Sequence, residues 1–374
     1  MIRILQVGKF FYPERGGIES VSKSLIDHLD HTKFSMDLLC FNTNASTKTD
    51  TYKQSTIIRC GILFSFFSAP FSFGFFRKFF QLHTQFDIIH IHTPNPFALI
   101  ALYFVKPSAK IIIHWHSDIL NKGILYWFIK PFETAALQKA SAIIGTSQTY
   151  IDESEPLKKY AQKTHCIPLG TTISKKQNIL KDHRSIQQQF VHKKIVFSLG
   201  RFVGYKGFNY LISAANFLPD DIIVIIGGDG PLFQEYELFI QQNKLADKVI
   251  LIGNIPDDEL QNYFEAADIF CLPSCEKSEA FGVVIIEALS FGKPVVATSI
   301  AGSGVGWVNQ DGVTGFNVPT KNPVALADAI IKLSNDDSLR KTMGEAALNR
   351  YHQFFTEDIM QRNIESFYHQ IIHT

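Results

Sequence analysis

Two glutamates and the start of one helix give the sequence its clearest chemical signal. Glu279 falls in a loop, and Glu287 falls about two turns into the helix predicted over 282–291. That helix is apolar on nearly every side, so a carboxylate at Glu287 needs hydrogen-bond donors, and ribose hydroxyls are suitable ones. The free N–H groups of residues 281–283 suit a phosphate or a sugar hydroxyl. A structural glutamate paired with Lys or Arg is the alternative.

A second anion-binding signal lies in the segment Ser198 to Gly207, which follows a predicted strand and opens a predicted helix. Arg201 offers a planar guanidinium with several donors, and Lys206 offers a compact positive charge. Both cations beside a helix start would favour a phosphate there. Solvated positions on the surface are the alternative for both side chains.

Gly16 and Gly17 lie between the first predicted strand and the first predicted helix. Two glycines let backbone N–H groups approach an anion closely at a helix terminus. Neither this loop nor the segment Gly227 to Pro231 has the G-x-G-x-x-G spacing of dinucleotide-binding proteins, so the sequence disfavours an oxidoreductase. A glycine turn without a ligand stays open as the alternative.

Two predicted strand ends carry histidine pairs at a spacing of two: His90 with His92, and His114 with His116. That spacing puts both imidazoles of a pair on one face of the sheet. Three interpretations remain open: polar recognition of a substrate, hydrogen-bonded structural histidines, and a zinc or iron site. No carboxylate or cysteine lies at ligand spacing to complete a metal site.

These positions require strands and helices in alternation, and the sequence predicts that pattern. Short aliphatic runs alternate with longer amphipathic stretches, which indicates βα units on parallel sheets. The predicted strands are 2–8, 35–41, 87–92, 110–116, 142–146, 194–199, 222–227, 249–252, 269–272 and 294–298. The predicted helices are 19–29, 96–105, 124–139, 208–217, 232–244, 257–266 and 282–291, and helices dominate after them.

The length of 374 residues predicts two domains. The predicted fold class is α/β, with two doubly wound, Rossmann-like domains facing across a ligand cleft, because open parallel sheets bind ligands at the carboxyl ends of their strands. The predicted limits are 1–175 for the first domain, 176–192 for a linker, 193–350 for the second domain, and 351–374 for a C-terminal helix that packs back on the first domain.

Composition excludes several classes of protein. Hydrophobic residues make up 46% and charged residues 19%, which is typical of a globular chain. The net charge of +1 excludes a uniformly basic nucleic-acid binder, although the first 190 residues carry 22 Lys and Arg against 13 Asp and Glu and the remainder 14 against 22. Five scattered cysteines and a short first apolar run favour a cytoplasmic chain without disulfides.

Phenylalanine is frequent, at 33 residues, and dense from Phe64 to Phe80. Pro70, Gly74 and a basic pair interrupt this run, so it does not offer the roughly 20 uninterrupted apolar residues of a membrane span. Two interpretations stay open. The phenylalanines form helix core, or they form an apolar, basic-flanked surface that contacts the inner face of an anionic membrane.

Taken together, these motifs resemble the retaining glycosyltransferase family 4, which has the GT-B architecture. The order and spacing of the motifs are specific, and the resemblance covers nearly the whole chain. It rests on Gly16-Gly17 with Glu19, Asp87 to His92, His116 to Asp118, Ile167 to Gly170, Gly200-Arg201, Lys206-Gly207, Gly228 to Pro231, Glu279 with Glu287, Gly292 to Val296, and Gly312 to Phe316. The chain departs from the family pattern at Thr171-Thr172 and at 301–309.

The resemblance implies a role for each matching residue. Arg201 and Lys206 hold the donor diphosphate, Glu287 binds the ribose, Glu279 contacts the transferred hexose, and His116 lies beside that sugar. The expected catalytic residues are Glu279, His116, Arg201 and Lys206. The expected donor-binding residues are Gly16, Gly17, Arg201, Lys206, Gly228, Gly230, Asn254, Ile255, Glu279, Phe281, Gly282, Val283 and Glu287. His92 and Asp118 are expected on the acceptor side.

The chemistry of sugar transfer agrees with this set. Departure of a nucleoside diphosphate leaves negative charge on a phosphate, which two fixed cations and helix N-termini stabilise. Asp-x-Asp pairs that bind metals are absent from the sequence, so we expect no metal and no other cofactor. No paired carboxylate nucleophile is evident, which favours front-face transfer; retention of configuration is implied by the resemblance alone.

The expected partners are a nucleotide-diphosphate sugar, either GDP-mannose or a UDP-hexose, and a glycan or lipid-linked acceptor of bacterial surface-polysaccharide assembly. No nucleic-acid partner is expected. A non-catalytic nucleotide-sugar-binding protein on the same fold is the alternative. Such a binder would need Arg201, Lys206 and Glu287 but neither Glu279 nor His116, and both are present.

Overall fold

A computed structural model describes residues 1–14, 16–66, 69–119, 123–171 and 182–373. The chain divides into two compact units: Met1–Gly170 together with Glu357–Thr374, and Thr171–Thr356. The domain limits given by the sequence stay predictions. Part of the predicted linker, residues 67–68 of the phenylalanine-rich run, and Thr172 lie outside the described residues.

The first unit begins with alternating strands and helices. Its elements up to Gly170 are β1 (Ile2–Val7), α1 (Gly17–Asp27), β2 (Phe34–Phe41), β3 (Lys48–Tyr52), β4 (Ser55–Cys60), β5 (Phe64–Phe66), β6 (Ala69–Phe71), α2 (Phe73–Leu82), β7 (Ile88–Thr93), α3 (Pro96–Tyr103), β8 (Lys110–Trp115), α4 (Gly123–Lys139), β9 (Ala142–Gly145), α5 (Gln148–Glu153), α6 (Glu155–Lys158) and β10 (Thr164–Cys166).

One sheet of the first unit has the strand order β10-β9-β8-β7-β1-β2-β4-β3. Its neighbours pair in parallel, except β3, which runs antiparallel to β4. Strands β5 and β6 pair separately as an antiparallel hairpin. From β1 the chain continues to β2 on one side, and from β7, which lies on the other side of β1, it continues outward to β8. Because the strand order reverses there, the carboxyl ends of β1 and β7 lie at the point where such sheets bind ligands.

The second unit contains the next elements in the chain. They are α7 (Asp182–Gln189), β11 (Lys194–Leu199), α8 (Phe208–Ala214), β12 (Ile222–Gly227), α9 (Phe233–Gln242), β13 (Val249–Gly253), α10 (Asp257–Ala266), β14 (Ile269–Leu272), α11 (Val283–Ser290), β15 (Val295–Ser299), α12 (Val305–Val308), β16 (Gly315–Pro319), α13 (Pro323–Asn335) and α14 (Asp337–Phe354). The last helix, α15 (Glu357–His373), belongs to the first unit.

The sheet of the second unit has the strand order β13-β12-β11-β14-β15-β16, and its neighbours pair in parallel. Strand β12 is buried along its whole length, which is why it is a continuous aliphatic run without alternating polar positions. The order reverses between β11 and β14, since β11 leads outward to β12 and β14 leads outward to β15. The loops after these two strands therefore form the expected ligand-binding edge.

The predicted elements are present, and the strands at 194–199, 222–227 and 269–272 and the helix at 257–266 have the predicted ends. The sequence patterns did not predict β3 to β6, the short elements from α5 to β10, α7 or β16, and they left α2 open as one of two interpretations of the phenylalanine-rich run. Strand β3 was missed because its five residues, Lys48–Tyr52, are polar and lie at an exposed edge. The hairpin of β5 and β6 was missed because Pro70 within it argues against a strand.

The phenylalanine-rich run divides between core and surface, so each of the two interpretations describes a part of it. Helix α2 turns Phe75 and Phe79 inward, and both are fully buried. Phe73 is 69% and Phe80 41% exposed, and Arg77 is also exposed. These three positions follow helical spacing and lie on the outer face of α2. No helix among the described residues is long and apolar enough to span a bilayer.

This division predicts opposite effects for two phenylalanines of the same helix. Phe79→Ala should lower the free energy of unfolding by about 3–5 kcal/mol, because it leaves a cavity in a packed core. Phe73→Ser should change it by less than about 0.5 kcal/mol, because the side chain is already in water. Urea unfolding followed by tryptophan fluorescence measures both. Equal losses in the two variants would contradict the assignment of one residue to core and the other to surface.

Candidate functional site

The loops that leave β11 and β14 are held together by their backbones. The N–H of Cys275 donates to the carbonyl oxygen of Tyr205 at 2.7 Å. Gly207 has a φ of 67°, and a Cβ at that position would come within 2.2 Å of the carbonyl oxygen of Pro273. Only glycine tolerates both the conformation and the close approach. These contacts fix the first loop against the second before any ligand is bound.

Lys206 and Glu279 form a buried ion pair across these two loops. Lys206 Nζ lies 2.6 Å from Glu279 Oε2, and the two side chains are 12% and 10% exposed. Ser274 Oγ donates to the same carboxylate oxygen at 2.8 Å. Burial alone would lower the pKa of Lys206, but the charge of Glu279, with Tyr205 and Glu287, outweighs it, so this pKa lies above its ordinary value. Lys206 is therefore a fixed positive charge.

The segment that joins Glu279 to α11 is anchored by residues that follow β15. Ser303 Oγ donates to the carbonyl oxygen of Glu279, and the N–H of Gly304 donates to the carbonyl oxygen of Ala280 at 2.7 Å. Helix α11 begins after Gly282, which has a left-handed φ of 79°. The first N–H groups of a helix have no partner inside it, so Gly282 and Val283 carry donors of the kind that the sequence predicts for a phosphate or hydroxyl, and Phe281 precedes the helix.

Glu287 lies about one turn into α11, not two, because the helix begins at Val283. Its side chain is partly exposed. Burial is the largest cause that raises the pKa of Glu287, to about 7; Lys206 opposes this and Asp257 adds to it. A ligand hydroxyl that donates to the carboxylate would stabilise its charged form. The group is thus poorly solvated without a ligand, as the sequence predicts.

Arg201 is exposed in the loop after β11, and the backbone of this loop touches that of the loop after β12. A Cβ at Gly228 would come within 2.0 Å of the carbonyl oxygen of Gly200. A Cβ at Gly230 would come within 2.6 Å of the carbonyl oxygen of Phe202. The loops after β11 and β12 therefore pack without intervening side chains, and glycine is required at both positions for that reason.

Three other predicted donor-binding residues differ in what they can offer. Asn254 is exposed, whereas Ile255 is buried and its Cδ1 lies 2.4 Å from the position of a Cβ on Gly227. Phe281 is 3% exposed, and its ring contacts Trp307 and Phe355. The side chains of Ile255 and Phe281 consequently pack in the unit, which leaves the side chain of Asn254 and the backbone of Phe281 for a ligand.

The glycine loop of the first unit is already occupied by a carboxylate of its own chain. Gly16 and Gly17 are exposed at the start of α1, and a Cβ on Gly16 would come within 2.2 Å of Glu19 Oε2. Burial raises the pKa of Glu19, while backbone N–H groups of Glu19 and Phe10 and the charge of Lys9 oppose the rise. A phosphate at this helix start would therefore have to displace Glu19.

The four histidines at the carboxyl ends of β7 and β8 stack on one face of the sheet, as their spacing predicts. The ring centroids of His90 and His92 are 4.6 Å apart, and those of His114 and His116 are 4.1 Å apart. His116 is 8% exposed and the other three are fully buried. Burial lowers the pKa of all four, that of His92 to about 3, so the cluster is uncharged at neutral pH.

Gln6 and Tyr368 complete this cluster, and neither belongs to the predicted set. The bonds are His92 Nε2 to Gln6 Oε1 (3.1 Å), His92 Nδ1 to His116 Nε2 (2.9 Å), His90 Nε2 to His114 Nδ1 (3.2 Å), and His90 Nδ1 to Tyr368 Oη (2.5 Å). Gln6 could have been identified from the sequence, because it is the polar residue among the buried positions of β1. Tyr368 could not, since it reaches the sheet from the last helix of the chain.

Three of the histidines, His90, His92 and His114, have nitrogen atoms within 4.8 Å of one another, as a metal site would require. Their nitrogens are already used in hydrogen bonds: His90 Nε2 with His114 Nδ1, His90 Nδ1 with Tyr368, and both nitrogens of His92 with Gln6 and His116. Among the described residues, His114 Nε2 is the ring nitrogen of the three that lacks a partner. The geometry fits hydrogen-bonded histidines, which was one of the alternatives, better than a ligand set.

His92 and Asp118, both predicted on the acceptor side, are engaged by their own unit. His92 has no exposed surface and both its ring nitrogens are bonded. Asp118 Oδ1 accepts from Trp115 Nε1 at 2.9 Å and from Ser154 Oγ at 2.6 Å. His92 therefore has no exposed atom for a ligand, and Asp118 ties the end of β8 to the segment between α5 and α6.

Comparison with known proteins supplies independent information on the whole chain. Residues 15–175 match the family described as Glycosyltransferase Family 4, and residues 181–350 match Glycosyl transferases group 1. The chain is 31% identical over 364 residues to O-antigen chain mannosyltransferase C of Escherichia coli, with 96% of each chain covered. It is 26% identical over 357 residues to D-rhamnosyltransferase WbpZ of Pseudomonas aeruginosa, with 95% of this chain and 92% of that one covered.

Solved structures share the fold. A sucrose-phosphate synthase from Thermosynechococcus elongatus has a TM-score of 0.83 at 20% identity, over 100% of both chains. Anabaena HepE, in complex with UDP and glucose, has a TM-score of 0.77 at 22% identity, over 98% of this chain and 99% of that one. These similarities confirm the predicted α/β fold class, two Rossmann-like domains of the GT-B type.

The raised pKa of Glu287 predicts that stability falls as pH rises. The folded state holds this proton more tightly than the unfolded state, whose glutamate titrates near 4.5, so stability is lost between about 4.5 and about 7. Glu287→Gln should therefore stabilise the unliganded chain at pH 8 by about 2 kcal/mol and change little at pH 4.5. Urea unfolding at both pH values measures this, with the exposed Glu345→Gln as control. A gain that is equal at both pH values would contradict the assignment.

Proposed function

This chain belongs to glycosyltransferase family 4 and is a glycosyltransferase, and from that premise we propose the reaction that it catalyses. It transfers a hexose from a nucleotide-diphosphate sugar to a glycan or lipid-linked acceptor in the assembly of a surface polysaccharide. GDP-mannose is the first candidate donor, because the relative that is 31% identical over 96% of this chain is named a mannosyltransferase of O-antigen chains. A UDP-hexose is the second, because HepE has been solved with UDP and glucose.

The ion pair of Lys206 and Glu279 is the observation that carries the proposal. It holds a cation and a carboxylate 2.6 Å apart at the carboxyl edge of a parallel sheet, where these folds bind ligands. A diphosphate requires the cation, and a sugar with several hydroxyls requires the carboxylate as an acceptor. Arg201 adds a second cation, and the start of α11 adds backbone donors.

We propose a front-face mechanism that retains the configuration of the transferred sugar. The bond between the anomeric carbon and the β-phosphate oxygen breaks, and its electron pair stays on that oxygen. The acceptor hydroxyl forms the new bond on the same face, and its proton passes to the leaving phosphate. Lys206 and Arg201 stabilise the negative charge that develops on the diphosphate, so the reaction as proposed needs no metal ion and no other cofactor.

The outer face of α2, α3 and α4 supports a peripheral contact with an anionic membrane as part of this proposal. Helix α3 packs against both of the other two. The exposed aromatic side chains are Phe73, Phe80, Tyr103, Phe104, Trp127 and Phe128, and exposed cations lie among them at Arg77, Lys106 and Lys130. Glu133, the acidic residue in the sequence of these three helices, is buried. Aromatic rings with cations and without exposed acids suit the surface of an anionic leaflet.

Ligand binding tests the donor. Thermal unfolding with GDP, UDP, GDP-mannose and UDP-glucose should show a rise in melting temperature for one nucleotide and its sugar, because a ligand that binds only the folded state stabilises it. Lys206→Ala should abolish both this rise and the transfer of radiolabelled sugar. The exposed Lys341→Ala is the matched control and should behave as the wild type.

Two results would overturn this assignment. No rise with any nucleotide would contradict donor binding, and near-normal transfer by Lys206→Ala would contradict the role of the ion pair. Removal of one partner leaves the other charge buried, which costs about 3–5 kcal/mol, so the melting temperature of each variant is measured first. Glu279→Gln keeps the size of the side chain and should also lose transfer.

Membrane contact has its own test. Co-sedimentation with vesicles of phosphatidylglycerol should exceed that with phosphatidylcholine, and a Trp127→Ser/Phe128→Ser variant should bind at least about tenfold more weakly, because two aromatic side chains no longer enter the interface. The control is Phe217→Ser, which removes a side chain that is 54% exposed in the second unit. Equal binding by all three proteins would overturn the contact.

A further inference from the structure

We propose that Gln6 and His92 are positioning residues that hold His116 in a single tautomer, with Nδ1 unprotonated and open to accept a hydrogen bond from a hydroxyl of the sugar substrate. Two hydrogen bonds connect Gln6 to His92 and His92 to His116, and the chemistry of the groups determines which atom donates in each. The identity of the hydroxyl as part of a sugar rests on the proposed function, whereas the tautomer does not.

The orientation of the Gln6 amide sets the first direction. Gln6 is fully buried, and its Nε2 donates to the sulfur of Met36. Its Oε1 therefore faces His92 Nε2, at 3.1 Å. An amide oxygen can only accept a hydrogen bond, so His92 Nε2 must carry the proton.

The neutral state of His92 sets the second direction. A fully buried imidazole without a carboxylate partner stays uncharged, because the charged form would lose its hydration. A neutral imidazole carries one N–H, so Nδ1 of His92 has only a lone pair. His116 Nε2, at 2.9 Å, must therefore donate to it.

His116 then has its lone pair on Nδ1. Nδ1 of His116 forms no hydrogen bond with the residues that the structure describes. Among those residues, the buried polar side-chain atoms without a partner do not include it, so this atom keeps some exposed surface. It is thus the ring nitrogen at the edge of the cluster that ligands can reach, in a residue that is 8% exposed. A hydroxyl can donate to this atom, but the carbonyl, carboxylate and phosphate oxygens of a ligand cannot.

The other half of the cluster lacks such a fixed direction. His90 bonds to the hydroxyl of Tyr368, which can donate or accept, and His114 Nε2 is buried without a partner. Both tautomers of His90 and His114 satisfy the same contacts. The cluster thus contains two chains of hydrogen bonds, Gln6–His92–His116 and Tyr368–His90–His114. Gln6 fixes which atom donates in each bond of the first chain, and the second chain has no such group.

The tautomer can be measured on the unliganded full chain. Nitrogen NMR of the protein with ¹⁵N-labelled histidine should show His92 and His116 protonated at Nε2 at pH 7.5, with signals assigned by their loss in His92→Asn and His116→Asn. A proton on Nδ1 of His116, or a charged ring, would overturn the proposal. Because no substrate is present, this result is independent of whether the proposed function holds.

Gln6→Met tests the positioning role, because it keeps the volume of the side chain and removes the accepting oxygen. His116 should then show a population protonated at Nδ1, and kcat should fall about tenfold, the size of one lost hydrogen bond. The melting-temperature rise with GDP, or with UDP if that nucleotide binds, should be unchanged.

The matched control is Gln85→Met, the same substitution at an exposed glutamine of the first unit that takes no part in the histidine cluster. An unchanged tautomer together with an unchanged kcat in Gln6→Met would overturn the positioning role. If Gln6→Met does not fold, the NMR of the wild-type chain still decides the tautomer.

Calorimetry separates the two sources of the hydroxyl. If Gln6→Met weakens binding of GDP-mannose but not of GDP, the hydroxyl belongs to the transferred hexose; UDP-glucose and UDP replace this pair if uridine binds. If both affinities are unchanged and KM for the acceptor rises, the hydroxyl belongs to the acceptor. No change in any of these three values would overturn the contact with substrate.

Discussion

A polar group inside a parallel sheet must find its hydrogen-bond partner within the protein, because helices cover both faces of the sheet and exclude water. That constraint organises both units of this protein. In the second unit it brings Lys206, Glu279 and Ser274 together where β11 and β14 diverge. In the first unit it brings four histidines together and requires Gln6 from the neighbouring strand. The chemistry of each unit follows from how its buried polar groups satisfy one another.

The two sites satisfy the constraint in different ways. The ion pair in the second unit keeps two charges apart from water and so holds them rigid before a donor binds, which is the preorganisation that stabilises charge in a transition state. The histidine cluster in the first unit contains no charge, and its polar groups are satisfied by hydrogen bonds between neutral side chains. Glu287 lies between these cases, because its pKa of about 7 leaves it partly protonated without a ligand.

The parts of the structure that depend on local patterns could be predicted from the sequence. Aliphatic runs predicted the buried strands, and the spacing of His90 and His92 predicted their stacking. The order of the motifs predicted the family, which the 31% identical relative supports. Strands β3 and β6 were missed although each pairs with the strand next to it in the chain, because the residues of β3 are polar and β6 contains a proline. The bond from His90 to Tyr368 was missed for another reason, since 278 residues separate the two and no local pattern connects them.

The position of Tyr368 has a consequence for how the protein is made. The first unit combines residues that precede the second unit with α15, which follows it, so α15 emerges from the ribosome only after the entire second unit. At synthesis rates of about 5–20 residues per second, the first unit waits for roughly 10–40 seconds. During that time His90 lacks its hydroxyl partner, because Tyr368 has not yet been translated. The histidine cluster is therefore completed by α15, so only a chain that has been translated through this helix carries it intact.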